Sequence, residues 1–87
     1  MPIRWRITHI RRDSDTNKIS KVKCDNFFDF SVANVISNIE NNIFQYYVQQ
    51  LTPPADVHVV KESDGTKYIR TDKDCVPENN LENLPLF

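Results

Sequence analysis

The chain has 87 residues, of which 39% are hydrophobic and 10% aromatic. That is enough for one domain, 1–87, with a modest core burying about 60% of the unfolded surface, and too apolar for a wholly disordered chain. Its 11 Lys and Arg against 12 Asp and Glu leave a net charge of −1, which excludes a global pull toward nucleic acid or an anionic membrane.

Ile3 to Ile10 alternates as a half-buried strand, with Ile3, Trp5 and Ile7 on one face and Arg4, Arg6 and Thr8 on the other. Arg11 to Lys18 is rich in turn formers and predicts an exposed hairpin loop. Ile19 to Cys24 is then the return strand, with Val22 facing inward. Phe27, Phe28 and Phe30 break the alternation and read as a clamp at the entry to a helix. Ser31 is a good N-cap, and Phe30 is placed to staple against Val35. Val32, Val35, Ile36 and Ile39 follow helical spacing, and Asn41-Asn42 offers a left-handed stop.

Ile43 to Gln50 is aromatic and β-branched, which favours a strand, and Pro53-Pro54 ends it. Val57 to Glu62 and Thr66 to Thr71 flank Asp64-Gly65, which predicts a type I′ hairpin pairing Glu62 with Lys67 and Val60 with Ile69. Leu81, Leu84, Leu86 and Phe87 are apolar residues on a polar tail and predict docking on the core, with one helical turn from Leu81 to Leu84. The expected fold class is α+β: a small single domain, mainly an antiparallel bent sheet in the order ββαβββ, with one helix packed on it. The C-terminal tail, 76–87, docks on the core. The expected core is Ile3, Trp5, Ile7, Val22, Phe30, Val35, Ile36, Ile39, Phe44, Tyr46, Val60, Ile69, Leu81 and Leu84.

No apolar run approaches the ~20 residues that span a bilayer. MPIRWRITHIRR alternates charge with apolar residues instead of holding a signal peptide's apolar run. A cytoplasmic protein with no membrane partner is expected. Cys24 and Cys75 are isolated thiols in such a compartment, and His9 and His58 are far apart in sequence. No metal site, catalytic residue or cofactor is expected from that arrangement.

Tyr68-Ile69-Arg70-Thr71, followed by Asp72 and Asp74 and then Asn80-Leu81-x-x-Leu84-Pro85, resembles a small uncharacterised prokaryotic family. It is the domain of unknown function numbered thirty-eight ninety-two. That family is marked by a Tyr-Leu-Arg-Thr element and an Asn-Leu-x-x-Leu-Pro ending. The Val35 to Ile39 helix, Tyr46-Tyr47-Val48 and the Ile7 to Ile10 strand extend the resemblance over nearly the whole chain. It implies no activity, cofactor or catalytic residue.

Three functional readings compete. The first is a non-enzymatic binding or protein-interaction module with an unknown protein partner or a second copy, using an exposed sheet edge and spare apolar surface from Phe27, Phe28 or Phe87. The second is weak nucleic-acid binding through the basic N-terminal hairpin, Arg4, Arg6, Arg11, Arg12 and Lys21, with Tyr46 and Tyr47 as stacking rings. Against it, Arg4 and Trp5 face opposite sides of one strand. The third is a small-anion site at Arg70, Thr71, Asp72 and Asn80, a guanidinium fork with a hydroxyl and an amide to orient the ligand. The structural reading, in which the same residues tie down a loop, is favoured over it because fixing a loop needs no ligand. The sequence favours the first reading, partly by exclusion.

Overall fold

Ile7 and Ile10 are both fully buried, although unbroken alternation would send them to opposite faces. The computed structural model describes residues 3–50, 53–71 and 80–87. In it, β1 (Ile3–Arg12) pairs Ile7 with Cys24 and His9 with Lys23 on β2 (Ile19–Cys24). Thr8 is the extra residue of a β-bulge, which resets the alternation and brings Ile10 inward. Ile10 therefore belongs to the core, whereas Ile3, expected there, is 59% exposed.

The remaining elements are β3 (Phe28–Ser31), α1 (Val32–Glu40), β4 (Phe44–Val48), β5 (Ala55–Lys61), β6 (Lys67–Thr71) and a single 3₁₀ turn, Leu81–Asn83. The strands form a six-stranded sheet in the order β3-β2-β1-β4-β5-β6. This is an α+β domain with one helix on one face of the sheet, as expected, but the strand order differs. Phe28–Ser31 is an edge strand rather than a helix-entry clamp, so the chain order is βββαβββ. The sheet is mixed, because β4 runs parallel to β1 with Tyr46 beside Trp5. A parallel neighbour requires a long crossover, and α1 supplies it.

Two of the hairpins that carry positive backbone φ also differ from expectation. Asp25 and Asn26 have φ of 53° and 60°, and the Phe27 amide donates to the Cys24 carbonyl at 3.0 Å. Positive φ at both central positions, the requirement of a type I′ turn, is thus met here and not at Asp64-Gly65. At the β5–β6 connection only Gly65 is left-handed, at φ 92°. The Gly65 amide donates to the Glu62 carbonyl at 3.0 Å and the Glu62 amide to the Thr66 carbonyl at 2.7 Å, which closes a three-residue loop. The register therefore shifts by one residue: Val59 opposes Ile69 and Val60 opposes Tyr68. A one-residue slip exchanges faces, so Val59 packs on the core in place of Val60. Lys67 opposes Lys61 instead of Glu62, and its ammonium pairs with Glu40 of the helix at 2.8 Å.

The helix ends are those the sequence predicts. The Ser31 hydroxyl accepts the Asn34 amide at 3.1 Å. Asn42 sits at φ 56°, the Asn42 amide donates to the Ile39 carbonyl at 3.2 Å, and the Ile43 amide donates to the Asn38 carbonyl at 2.9 Å. That pair of bonds is a Schellman ending with Asn in the position that glycine usually takes. Val35 is buried against the sheet, and Asn38 donates to the Tyr46 hydroxyl at 2.9 Å.

Leu81 and Leu84 lie in the core at 1% and 4% exposure. β4 pairs with β1 only over Ile3 to Arg6. Beyond that point the C-terminal segment takes up the same edge of β1. The Ile10 amide donates to the Pro85 carbonyl at 2.9 Å and the Phe87 amide to the Ile10 carbonyl at 3.1 Å. No helix among the described residues is long and apolar enough to cross a membrane.

Candidate functional site

The helix covers one face of the sheet and leaves the other open. Strand alternation places Arg4, Arg6 and, beyond the bulge, Arg11 of β1 on the open face. Lys21 lies across from Arg11, and Lys23 across from His9. Tyr47 lies beside Arg6 on the next strand, across from Asp56. Arg4 pairs with Asp56 at 2.7 Å while its guanidinium carbon lies 4.7 Å from the centre of the Tyr47 ring. Arg6 donates to the Gln49 carbonyl at 2.7 Å. At the other end of the face, the Phe87 ring has the Arg11 guanidinium at 4.4 Å and the Lys23 ammonium at 4.7 Å. The Arg11 Nε donates to the Phe87 main-chain oxygen at 3.0 Å.

Of the basic residues singled out in the sequence, Arg4, Arg6, Arg11 and Lys21 share this face. Arg12 does not: it turns to the helix side, where it donates to the Asn17 carbonyl at 3.0 Å and pairs with the Glu82 carboxylate. Lys23 is on the face and was passed over. Its signal was the alternation of Lys21 and Lys23 against inward Val22 and Cys24. Tyr46 faces the core, so only Tyr47 of that pair is a surface ring.

A second surface lies at one end of the core. Trp5 makes edge contacts with Phe28 at 5.1 Å and Phe44 at 5.8 Å and a tilted one with Phe30 at 5.8 Å. Phe27 packs edge-on against Phe28 at 4.9 Å. Trp5 is half-buried, and its indole N–H is shielded from solvent with no hydrogen-bond acceptor among the described residues. Beyond it, Phe27 is 76%, Phe28 47% and Ile3 59% exposed. Phe28 stands on the edge strand β3, so this apolar corner adjoins open strand backbone.

Arg70, Thr71 and Asn80 are divided between the two sides of the sheet. Arg70 opposes His58 on the open face and donates from Nε to the Thr71 carbonyl at 3.5 Å. Thr71 faces inward at 5% exposure, and its hydroxyl accepts the Leu81 amide at 3.3 Å. Asn80 caps the 3₁₀ turn, its side-chain oxygen accepting the Glu82 amide at 2.9 Å. The structure thus brings Thr71 and Asn80 together at the start of the 3₁₀ turn and sends Arg70 elsewhere. Asp72, Asp74 and Cys75 lie outside the described residues.

Cys24 is fully buried, and its thiol pKa is pushed up to about 12, chiefly by burial and further by the nearby Asp25 and Asp29 carboxylates. A thiol so far from ionisation is a poor nucleophile at neutral pH. His9 lies beside the Thr8 hydroxyl at 3.0 Å on the open face. An open cavity of about 420 Å³ on the helix side is lined by Arg12, Lys18, Glu62, Lys67 and Glu82, with no histidine or cysteine among the described residues that line it. Among the described residues no three His, Cys, Asp or Glu side chains converge as metal ligands.

The sequence model of the family described as "Protein of unknown function (DUF3892)" matches residues 6–85, and the chain belongs to that family. No curated protein and no solved structure matches it.

Proposed function

We propose that the protein is a non-enzymatic interaction module whose apolar corner, Ile3, Phe27 and Phe28, takes an apolar segment of a protein partner. The observation that carries this reading is the exposure of those side chains, 59%, 76% and 47%, beside an edge strand. Contiguous exposed apolar surface on a small domain marks a contact surface more often than a random feature. An edge strand beside it supplies main-chain hydrogen bonds that a partner strand can share. The ring stack from Phe27 through Phe28 to Trp5 makes the corner stiff, so docking costs little side-chain entropy. Against an enzyme stand the inert Cys24 thiol and a helix-side cavity with no histidine or cysteine among the described residues that line it.

The test is sedimentation of the full chain across a range of concentrations, paired with a photo-crosslinking residue at position 27. Self-association lost in a Phe27→Ser, Phe28→Ser double variant identifies a second copy as the partner. A monomer that gives one defined cross-linked adduct identifies a different protein. Neither self-association nor an adduct, or turnover of any substrate abolished by a point substitution, overturns the reading.

A further inference from the structure

We infer that the helix-free face of the sheet is a binding site for single-stranded nucleic acid, a second surface independent of the apolar corner. The chain as a whole carries a net charge of −1, yet this face gathers Arg4, Arg6, Arg11, Lys21 and Lys23 against Asp29 and Asp56. Asp56 pairs with Arg4. Among the described residues no Asp or Glu side chain forms an ion pair with Arg6, Arg11, Lys21 or Lys23, although Arg11 Nε also donates to the Phe87 main-chain oxygen at 3.0 Å. Arg11 and Lys21 sit directly opposite each other on paired strands. Like charges so placed repel, and an anion from outside the chain relieves the repulsion.

A row of cations alone fits any polyanion; the rings narrow the choice. Tyr47 lies under Arg4 at one end and Phe87 under Arg11 and Lys23 at the other, both half-buried with cations stacked on them. Cations interleaved with flat rings on an open sheet are the arrangement that holds splayed bases while neutralising their phosphates. The open face offers no helix to enter a duplex groove, since α1 packs on the opposite side. The β1–β2 loop carries Asp13 and Asp15, which repel a phosphate backbone. The expected ligand is therefore a single strand lying across β1 and its neighbours.

The experiment is fluorescence anisotropy of the full chain with a labelled oligothymidylate of about 12 nucleotides, a length in the range one such domain covers. Four engaged phosphates predict that affinity falls about 50-fold between about 50 mM and about 200 mM salt. Arg11→Gln with Lys23→Gln should weaken binding about tenfold and flatten the salt dependence by about half, because two of the four phosphate contacts go. Tyr47→Leu should weaken binding about tenfold through lost stacking, with the salt slope unchanged. Lys61→Gln, exposed on the helix side of β5, should change nothing. No binding at about 50 mM salt, salt-independent binding, or equal loss in Lys61→Gln overturns the inference. So does tighter binding of a duplex of the same length, or equally good competition by polyglutamate, which would point to an acidic protein instead.

Discussion

The Leu81 amide donates to the Thr71 hydroxyl at 3.3 Å in a buried site. This contact joins the last strand to the 3₁₀ turn that seats Leu81 in the core, across a sequence separation of ten residues. It gives the Thr71 hydroxyl a structural task. Thr71→Val keeps the volume and removes the acceptor, leaving the amide unpaired, so it should destabilise by about 1–3 kcal/mol. Thr71→Ser retains the oxygen and should cost less than about 1 kcal/mol. Equilibrium urea unfolding of the two variants reads the difference, and equal costs would deny the hydroxyl this part.

Cys24 should resist thiol reagents at neutral pH in the folded protein and react on unfolding, since burial holds its pKa near 12. The same shift has a sign for stability. The folded state keeps the proton while the unfolded state loses it above about pH 9. The contribution is therefore complete below that pH and is lost between about 9 and 12, at up to about 1.4 kcal/mol per pH unit. The buried Tyr46 hydroxyl, also raised chiefly by burial, acts in the same direction. Cys24→Ala should flatten the alkaline limb of the stability curve, and an unaltered limb would assign it to other groups.

Asn42 and Gly65 are both left-handed, at φ 56° and 92°. Replacing either with Ala should cost about 1–2 kcal/mol through backbone strain. A Cβ at Gly65 meets nothing within 4 Å, so any loss there is conformational and not steric crowding by neighbours. Asn42→Gly should be neutral or mildly stabilising, because the Schellman ending favours glycine at that position. Thermal unfolding of the three variants checks the order.

At the apolar corner, Phe27→Ser should alter folding stability by less than about 0.5 kcal/mol, since the ring is mostly solvated. Trp5→Ala, which removes the ring that Phe28, Phe30 and Phe44 pack against, should cost about 3 kcal/mol. Chemical denaturation of both separates the surface used for contact from the wall that supports it. A large loss in Phe27→Ser would make that ring part of the core.

The local signals in the sequence held where short-range physics governs them. The Ser31 cap, the Val32 to Ile39 spacing and the Asn41-Asn42 stop fixed α1 almost to the residue, because capping and helical periodicity act within a few residues. Membership of the family was legible from elements spread over nearly the whole chain, and the family model matches residues 6–85. The bulge at Thr8 was less visible, although Ile7 and Ile10, at a spacing no regular strand buries on both counts, were its trace. The β5–β6 register failed because Asp-Gly serves equally in a two-residue turn and at the end of a three-residue loop, and only Gly65 is left-handed.

Sequence alone determined an α+β domain with one helix, a core of alternating strands and a tail rich in core-forming leucines. Tertiary structure decided which strands became neighbours. The parallel pairing of β1 with β4, the pairing of Arg12 with Glu82, and the gathering of Arg11 and Lys23 around Phe87 all join residues distant in the chain. Such contacts depend on how the crossover and the tail close onto β1, and no local spacing encodes that closure.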